Sequence, residues 1–281
     1  MIEAPEALYL SEQLNRTIRG KQITDVIAAY TPHKFTWYEG DPETYPDRLA
    51  GTTVCEAVAR GGMVDVLLSP GKHLLFTDGA NLRYYGPGEK LPAKHQLLIG
   101  FEDQSCIVVS VRMYGALCCF PDNAWEAPLA AYYESAKQKP QVLSEAFTRE
   151  YFRELIREEK MQKKTAKAFL ATGQTIPGLG NGVLQDILYH ARIHPKTKIA
   201  AIPETQRERL YDCIRTTLRE IYAAGGRNTE TDLFGANGKY VPYLSKDTAG
   251  QPCPRCGEPI RKENFLGGSI YYCSECQAWT K

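Results

Sequence analysis

The sequence has no surplus of charge: 34 lysines and arginines stand against 33 aspartates and glutamates, a net charge of +1 over 281 residues. Composition alone therefore demands no polyanionic partner. Long apolar runs are also missing. No stretch approaches the roughly 20 residues that cross a bilayer, and Met1-Ile2-Glu3-Ala4-Pro5-Glu6 has neither the basic nor the apolar region of a secretory leader. Membrane association is not expected, and a reducing cytoplasm is the expected compartment. Internal repeats and low-complexity tracts are lacking too, which argues against a solenoid or a disordered chain. What remains is a globular protein whose 43% hydrophobic residues allow a core of normal size, at a length suited to two domains and a small module.

Cysteine is scattered until the end of the chain. Cys55, Cys106, Cys118, Cys119 and Cys213 lie among apolar neighbours and read as small buried hydrophobes. The last four form Cys253-Pro254-Arg255-Cys256, sixteen residues, then Cys273-Ser274-Glu275-Cys276. Two equally spaced knuckles fit one tetrahedral zinc ion better than the competing readings, a redox pair or a disulfide framework. With all four positions taken by sulfur, no coordination site is open for water activation. The zinc is structural, folding a terminal hairpin too short to bury a core.

From about Ile23 to Phe120 short runs alternate apolar and polar residues, separated by turns such as Ser69-Pro70-Gly71 and Asp78-Gly79. This is the pattern of a β-sandwich or barrel. Glu6 to Arg19 has helical spacing and stops at Gly20. After Pro121 to Pro128 the pattern becomes helical: Leu129 to Gln138, Arg149 to Glu159, Lys164 to Ala171, Val183 to Ala191 and Pro203 to Ala224. The expected class is α+β, with a β-sandwich domain over 1–128, a helical domain over 129–250 and a zinc-finger hairpin over 251–281. Gly225 to Gln251 reads as a long loop, mobile or functional.

Two features suggest a ligand. Thr175-Ile176-Pro177-Gly178-Leu179-Gly180-Asn181-Gly182 is a glycine-rich turn whose amides suit a phosphate, with Asn181 placed to cap the helix from Val183. A helix start packed on another helix is the bland alternative, since glycine turns alone are weak evidence. Lys160, Lys163, Lys164 and Lys167 fall on neighbouring helical positions, and Arg255, Arg261 and Lys262 lie in the zinc module, which permits a basic face.

The glycine turn, followed by His194-Pro195, resembles the helix-two-turn-helix motif of the formamidopyrimidine-DNA glycosylase and endonuclease VIII family, and the four-cysteine module resembles that family's zinc finger. The likeness runs end to end. The amino terminus is similar to the family's Met-Pro-Glu-Leu-Pro-Glu. Asn81-Leu82-Arg83-Tyr84-Tyr85-Gly86 resembles the strand carrying a void-filling residue, and Arg112-Met113-Tyr114-Gly115 the turn facing an unpaired base. The resemblance implies a DNA-repair protein, a monomer in the cytoplasm beside the nucleoid, whose groove takes duplex DNA carrying a lesion or an abasic site. It also implies roles for single residues. Lys167, Gly180 and Asn181 would hold phosphates of the damaged strand, Tyr84 would fill the gap left by an extruded nucleotide, and Arg112 and Tyr114 would meet the orphaned base.

Three positions depart from the pattern. The family's nucleophilic proline is Ile2 here, so Met1 is expected to stay and to supply the only terminal amine. A phosphate-contacting lysine aligns with Met63, and a phosphate-clamping arginine with Gly268. What remains is Glu3 as a possible acid or base, with Glu6 beside it; at a free terminus both default to exposed, structural roles. His33, His73, His95, His190 and His194 read as isolated polar residues. Three functions stay open. One is a divergent base-excision N-glycosylase with weak or absent strand-cleaving lyase activity. The others are a catalytically silent DNA-binding protein of the same fold, and a zinc-ribbon protein binding RNA or a protein partner.

Overall fold

The computed structural model describes residues 1–122, Trp125 and residues 129–279. Helix α1 (Ala4–Thr17) opens the chain and buries Leu10 and Leu14. The strands that follow are β1 (Ile23–Ala28), β2 (Thr36–Tyr38), β3 (Thr53–Arg60), β4 (Met63–Ser69), β5 (Lys72–Thr77), β6 (Ala80–Tyr85), β7 (Leu97–Phe101), β8 (Cys106–Val111) and β9 (Gly115–Pro121), with the short helix α2 (Tyr45–Leu49) after β2. They form two sheets, ordered β1-β7-β8-β6 and β2-β9-β5-β4-β3. Their facing sides, together with α1, bury one core that includes Leu14, Ile23, Val64, Phe76, Leu82 and Val109. Ile2 is part of it. The other side of the five-stranded sheet is covered by helix α3 (Ala130–Gln138), which puts Tyr133 and Ala136 over Leu75, Phe120 and the fully buried Met63. Met63, at the position of the family's phosphate-contacting lysine, is therefore a core residue.

The helices α4 (Arg149–Arg157), α5 (Glu159–Gln162), α6 (Asn181–Ala191) and α7 (Glu204–Ala223) enclose a second core of Phe152, Phe169, Leu184, Leu188, Ile214 and Leu218. The helix expected over Lys164 to Ala171 is a π-helical turn, Ala168–Thr172. Strands β10 (Arg261–Phe265) and β11 (Gly268–Tyr272) form the terminal hairpin, paired antiparallel from Arg261 opposite Tyr272 to Phe265 opposite Gly268. Residues 126–128, beside the expected boundary at 128/129, lie outside the described residues.

The segment Gly225 to Gln251 is the expected long loop, and it is packed against the rest of the molecule. It has no helix or strand, yet Leu233 is fully buried in the first core and Tyr240 belongs to the second. Its backbone bridges to itself at Arg227–Tyr240 and Thr231–Asn237. It straps the two cores together.

His73 is also not isolated. It is buried, with Nδ1 2.9 Å from Asp65 and Nε2 3.0 Å from Asp122, and Tyr133 donates its hydroxyl to Asp65 at 2.7 Å. Burying Asp65 in the sheet costs solvation that these partners offset.

Candidate functional site

A cavity of about 270 Å³ opens between the two cores, lined by Met1, Glu3, Asp78, Tyr114, Tyr132, Lys167, Asn181 and the turn Gly178 to Gly180. That is near the lower end of small-molecule pockets, roughly 300–1,000 Å³, and suits one ring system better than a large ligand. On one side lie α6 and the zinc hairpin. On the other lie the connection from β5 to β6 and the turn from β8 to β9.

Glycine brings these parts together. Gly61 and Gly178 both have positive φ, +60° and +85°, and a Cβ on Gly178 would collide with the backbone of Gly61 and Gly62. A side chain at either position would push the β3–β4 turn off the helix turn. Tyr132 pins the same junction, its hydroxyl accepting from Gly178 N at 3.1 Å and from Gly62 N at 3.4 Å.

The glycine turn itself holds an anion, but the anion is internal. Glu3 is only 3% exposed. Its Oε1 accepts from Gly182 N at 2.8 Å, and its Oε2 from Gly180 N at 3.2 Å and Val183 N at 2.9 Å. The first amides of α6, which have no partner inside the helix, thus close on a carboxylate from the chain's third residue. The expectations of an exposed Glu3 and of amides open to phosphate are both corrected. The cap of α6 is Gly180, and Asn181 is its first residue; its Nδ2 donates to Ser269 O in the hairpin at 2.8 Å. A Cβ on Gly180 would sit 2.6 Å from the Glu3 carboxyl carbon, so glycine is required for the carboxylate to seat.

Arg227 completes this arrangement from the strap. It is buried, lies 3.3 Å from Glu3 and 2.8 Å from Glu6, and donates to Met1 O at 2.9 Å. Glu6, considered for catalysis, is a buried partner of this guanidinium. Nothing in the sequence distinguishes Arg227 from a surface loop arginine. The Met1 amine pairs with Glu230 at 2.6 Å, and Ile2 N donates to Asp78 O at 2.7 Å. The buried Ile2 side chain and these bonds fix the terminus in the cavity wall.

Lys167 and Tyr84 are placed otherwise than expected. Lys167 is 2% exposed; its ammonium donates to the hairpin carbonyls of Phe265 and, at 3.4 Å, Gly268, and burial pulls its pKa down. Tyr84 lies on the four-stranded sheet, edge-on to Phe234 at 6.1 Å with Lys21 5.2 Å from its ring centre. It is not among the cavity's lining residues, because the strap packs against it. Three more lysines of the expected basic face are engaged as well: Lys160 with Glu158 at 2.8 Å, Lys163 with Glu159 at 3.4 Å and Lys164 with Thr175 at 3.0 Å.

The opposite wall, and the adjoining pocket lined by Arg112 and Met113, are open. Arg112 is exposed and has no ion-pair partner among the described residues. Met113 is 67% and Tyr114 37% exposed. Trp37, which the sequence did not mark out, adds an exposed ring 6.3 Å from that of Tyr114. Asp78 sits here too. It was legible only as a turn residue.

The four cysteines converge as expected. Their sulfurs all lie within 4.8 Å of one another, with Cys253 to Cys276 at 3.9 Å and Cys256 to Cys273 at 3.4 Å. A tetrahedron with zinc–sulfur bonds of about 2.3 Å has edges of roughly 3.8 Å. The donor set fits one structural zinc ion, and the finger docks on α6 by burying Tyr189, Leu244 and Ile260 around Cys253 and Cys273.

Comparison with known proteins agrees with this geometry. Residues 139–232 match the formamidopyrimidine-DNA glycosylase H2TH domain, and residues 250–278 match the zinc finger found in FPG and IleRS. The formamidopyrimidine-DNA glycosylase of Bordetella petrii is 27% identical over 99% of both chains. The chain carries the H2TH domain and zinc finger of this family and is similar to its members over nearly its full length. A relative of the same name in Pelotomaculum thermopropionicum is 29% identical, again over 99% of each chain. In fold, the chain is similar to Lactococcus lactis Fpg in complex with DNA containing an abasic site, at TM-score 0.83 and 24% identity over 98% of this chain and 99% of that one. It is likewise similar to the MutM (Fpg) protein of Thermus thermophilus, at TM-score 0.81 and 21% identity over 99% and 100%. Among the described residues, no helix is long and apolar enough to cross a membrane.

Proposed function

We propose that the protein is a DNA-repair N-glycosylase. It binds damaged duplex DNA between its two cores, takes the damaged nucleotide into the cavity and releases the base by hydrolysis, leaving the strand uncut. The observation that carries this reading is the cavity itself, where carboxylates and the terminal amine meet at the junction of sheet, helix turn and zinc hairpin. Extruding a nucleotide costs a few kcal/mol of stacking, and exposed rings beside the cavity recover part of it at ~1–3 kcal/mol per base. Tyr114 and Trp37 supply those rings, and Arg112 offers a planar fork to the orphaned partner. The Glu3 carboxylate, fixed in the wall, stabilises positive charge that develops on the sugar as the bond to the base weakens.

Lys167 and Asn181 reach phosphate in this reading only by exchanging the hairpin carbonyls they now hold. The Met1 amine is held by Glu230 at 2.6 Å and must leave that partner before it can attack the sugar, which disfavours a Schiff base and with it lyase cleavage. Such a protein works beside the nucleoid in the cytoplasm.

The test is release of free base, measured by mass spectrometry, from a panel of lesion-bearing duplexes, run beside competition of duplex DNA against RNA over a salt series. Base release from at least one lesion, with duplex preferred and affinity falling steeply with salt, is the expected outcome. Tight duplex binding without release from any lesion indicates the silent DNA-binding protein, which the full set of donors on Glu3 favours. Preference for RNA contradicts both.

A further inference from the structure

The glycosylase reading needs a group that can exchange a proton, and Glu3 is poorly suited to that. Both of its oxygens already accept, from three backbone amides and Arg227. The cavity holds a second carboxyl group in a different state. Asp78 lines it beside Met1, Glu3 and Tyr114, and lines the adjoining pocket beside Arg112. Its carboxylate has one hydrogen bond among the described residues, from Thr77 Oγ1 at 3.5 Å.

The backbone shows that this placement is built. Asp78 and Gly79 join β5 to β6, yet those strands belong to different sheets, so the pair does not serve a hairpin turn. Asp78 adopts φ +46°, uncommon for a residue with a side chain. It is held there from both sides: its carbonyl accepts from Ile2 N at 2.7 Å, and Gly79 N donates to Tyr114 O at 3.0 Å. A strained residue held at a cavity is a reason to ask for a function.

We propose that Asp78 is the general base of the base-release step, with Glu3 as the fixed charge beside it. This rests on the glycosylase reading. The Asp78 carboxylate takes a proton from a water molecule as that water's oxygen bonds to C1′ of the sugar. The bond from C1′ to the base nitrogen breaks, and its electron pair leaves with the base. The base nitrogen takes a proton from solvent and Asp78 returns its own, so one water is divided between sugar and base.

Burial pushes the Asp78 pKa above the ordinary aspartate value, the nearby terminal amine pulls it back, and Glu3 raises it again. A base tuned upward in this way is a stronger proton acceptor. The groups facing it are the Met1 amine and Glu3 from the terminus, Arg112 and Tyr114 from the β8–β9 turn, Tyr132 from α3 and Glu230 from the strap. The same cavity raises the pKa of Tyr114 and Tyr132, through burial first and then the charges of Asp78 and Glu3.

The test compares wild type with Asp78→Asn, which keeps the side-chain shape and tolerates positive φ. Single-turnover base release is followed across pH, with affinity for a duplex containing a tetrahydrofuran abasic analogue as the second readout. Asp78→Asn is expected to lower release by about 100-fold or more and to abolish the acidic limb of the rate profile, with duplex affinity unchanged or tighter. Release within about threefold of wild type with the acidic limb intact overturns the assignment. So does a parallel loss of affinity, which marks a binding role. Absence of release by wild type on every lesion overturns it together with the glycosylase reading, whereas failure of Asp78 alone leaves that reading standing.

Discussion

The two walls of the cavity use their polar groups differently. On the helical wall the amides of Gly180, Gly182 and Val183 close on Glu3, Asn181 holds Ser269, and Lys167 holds the hairpin carbonyls. On the sheet wall Asp78 has one long hydrogen bond and Tyr114 is exposed, while in the adjoining pocket Arg112 has no ion partner among the described residues and Met113 is exposed. A wall whose donors and acceptors are all satisfied fixes geometry. A wall that leaves Asp78 with a single long hydrogen bond retains capacity for a ligand. The glycine-rich helix turn, which on its own looks like the binding element, is in this chain the scaffold, and in the proposed function binding and chemistry fall to the turns opposite.

The largest effect on this contrast should come from the metal. Cys273→Ser, or chelation of the zinc, should free the hairpin and with it Lys167 and Asn181, because structural zinc supplies most of the folding energy of so small a module. Zinc stoichiometry near zero, rapid proteolysis after Gly250 and weakened duplex binding are expected; full zinc content with unchanged affinity would refute the assignment.

Next is Arg227→Met. It leaves Glu3 and Glu6 buried without their cation, and breaking a buried pair in this way costs about 3–5 kcal/mol. Denaturant unfolding checks it, and a loss below ~1 kcal/mol would mean the helical wall is not held by this ion cluster.

Glu3→Gln is the finer version. An amide in place of the carboxylate turns a donor toward the helix amides, and a buried unsatisfied group costs about 1–3 kcal/mol. The same variant should lower base release, if the fixed negative charge stabilises the sugar cation.

The smallest effect on stability should come from the sheet wall. Trp37→Ala and Arg112→Ala are expected to leave unfolding within about 0.5 kcal/mol of wild type, as exposed positions usually do. Trp37→Ala should still weaken binding to lesion duplex by ~1–3 kcal/mol, the range for loss of one stacked base. Equal losses of stability on both walls would erase the distinction.

Much of the fold was legible because its signals are local. The alternation in Ile107-Val108-Val109-Ser110-Val111 gave β8, the knuckle spacing gave the zinc site, and the apolar period after Asn181 gave α6. The site was less legible because its partners are far apart in sequence. Glu3 is 179 residues from the Gly182 amide it accepts, and Arg227 is 224 residues from Glu3. No local pattern announces either. A carboxylate near a chain end defaults to solvent, and a glycine turn defaults to a phosphate, so each half of the pair pointed elsewhere. Asp78-Gly79 was hidden for another reason: it has the composition of an ordinary turn, and only the sheet order reveals that it bridges two sheets. The lysines from Lys160 to Lys167 marked a basic face, yet Lys160 and Lys163 pair with the neighbouring Glu158 and Glu159, and Lys164 and Lys167 turn to Thr175 and the hairpin carbonyls, contacts that no local pattern announces.

The most direct test places wild-type protein on a duplex bearing one susceptible lesion and divides the products, half treated with alkali and half not, with borohydride added to a parallel sample. The expected result is a strand break only after alkali, together with free base and no trapped adduct. A break without alkali and a covalent protein–DNA adduct would contradict the account, since they would place the reaction on the Met1 amine rather than on the carboxylates of the cavity.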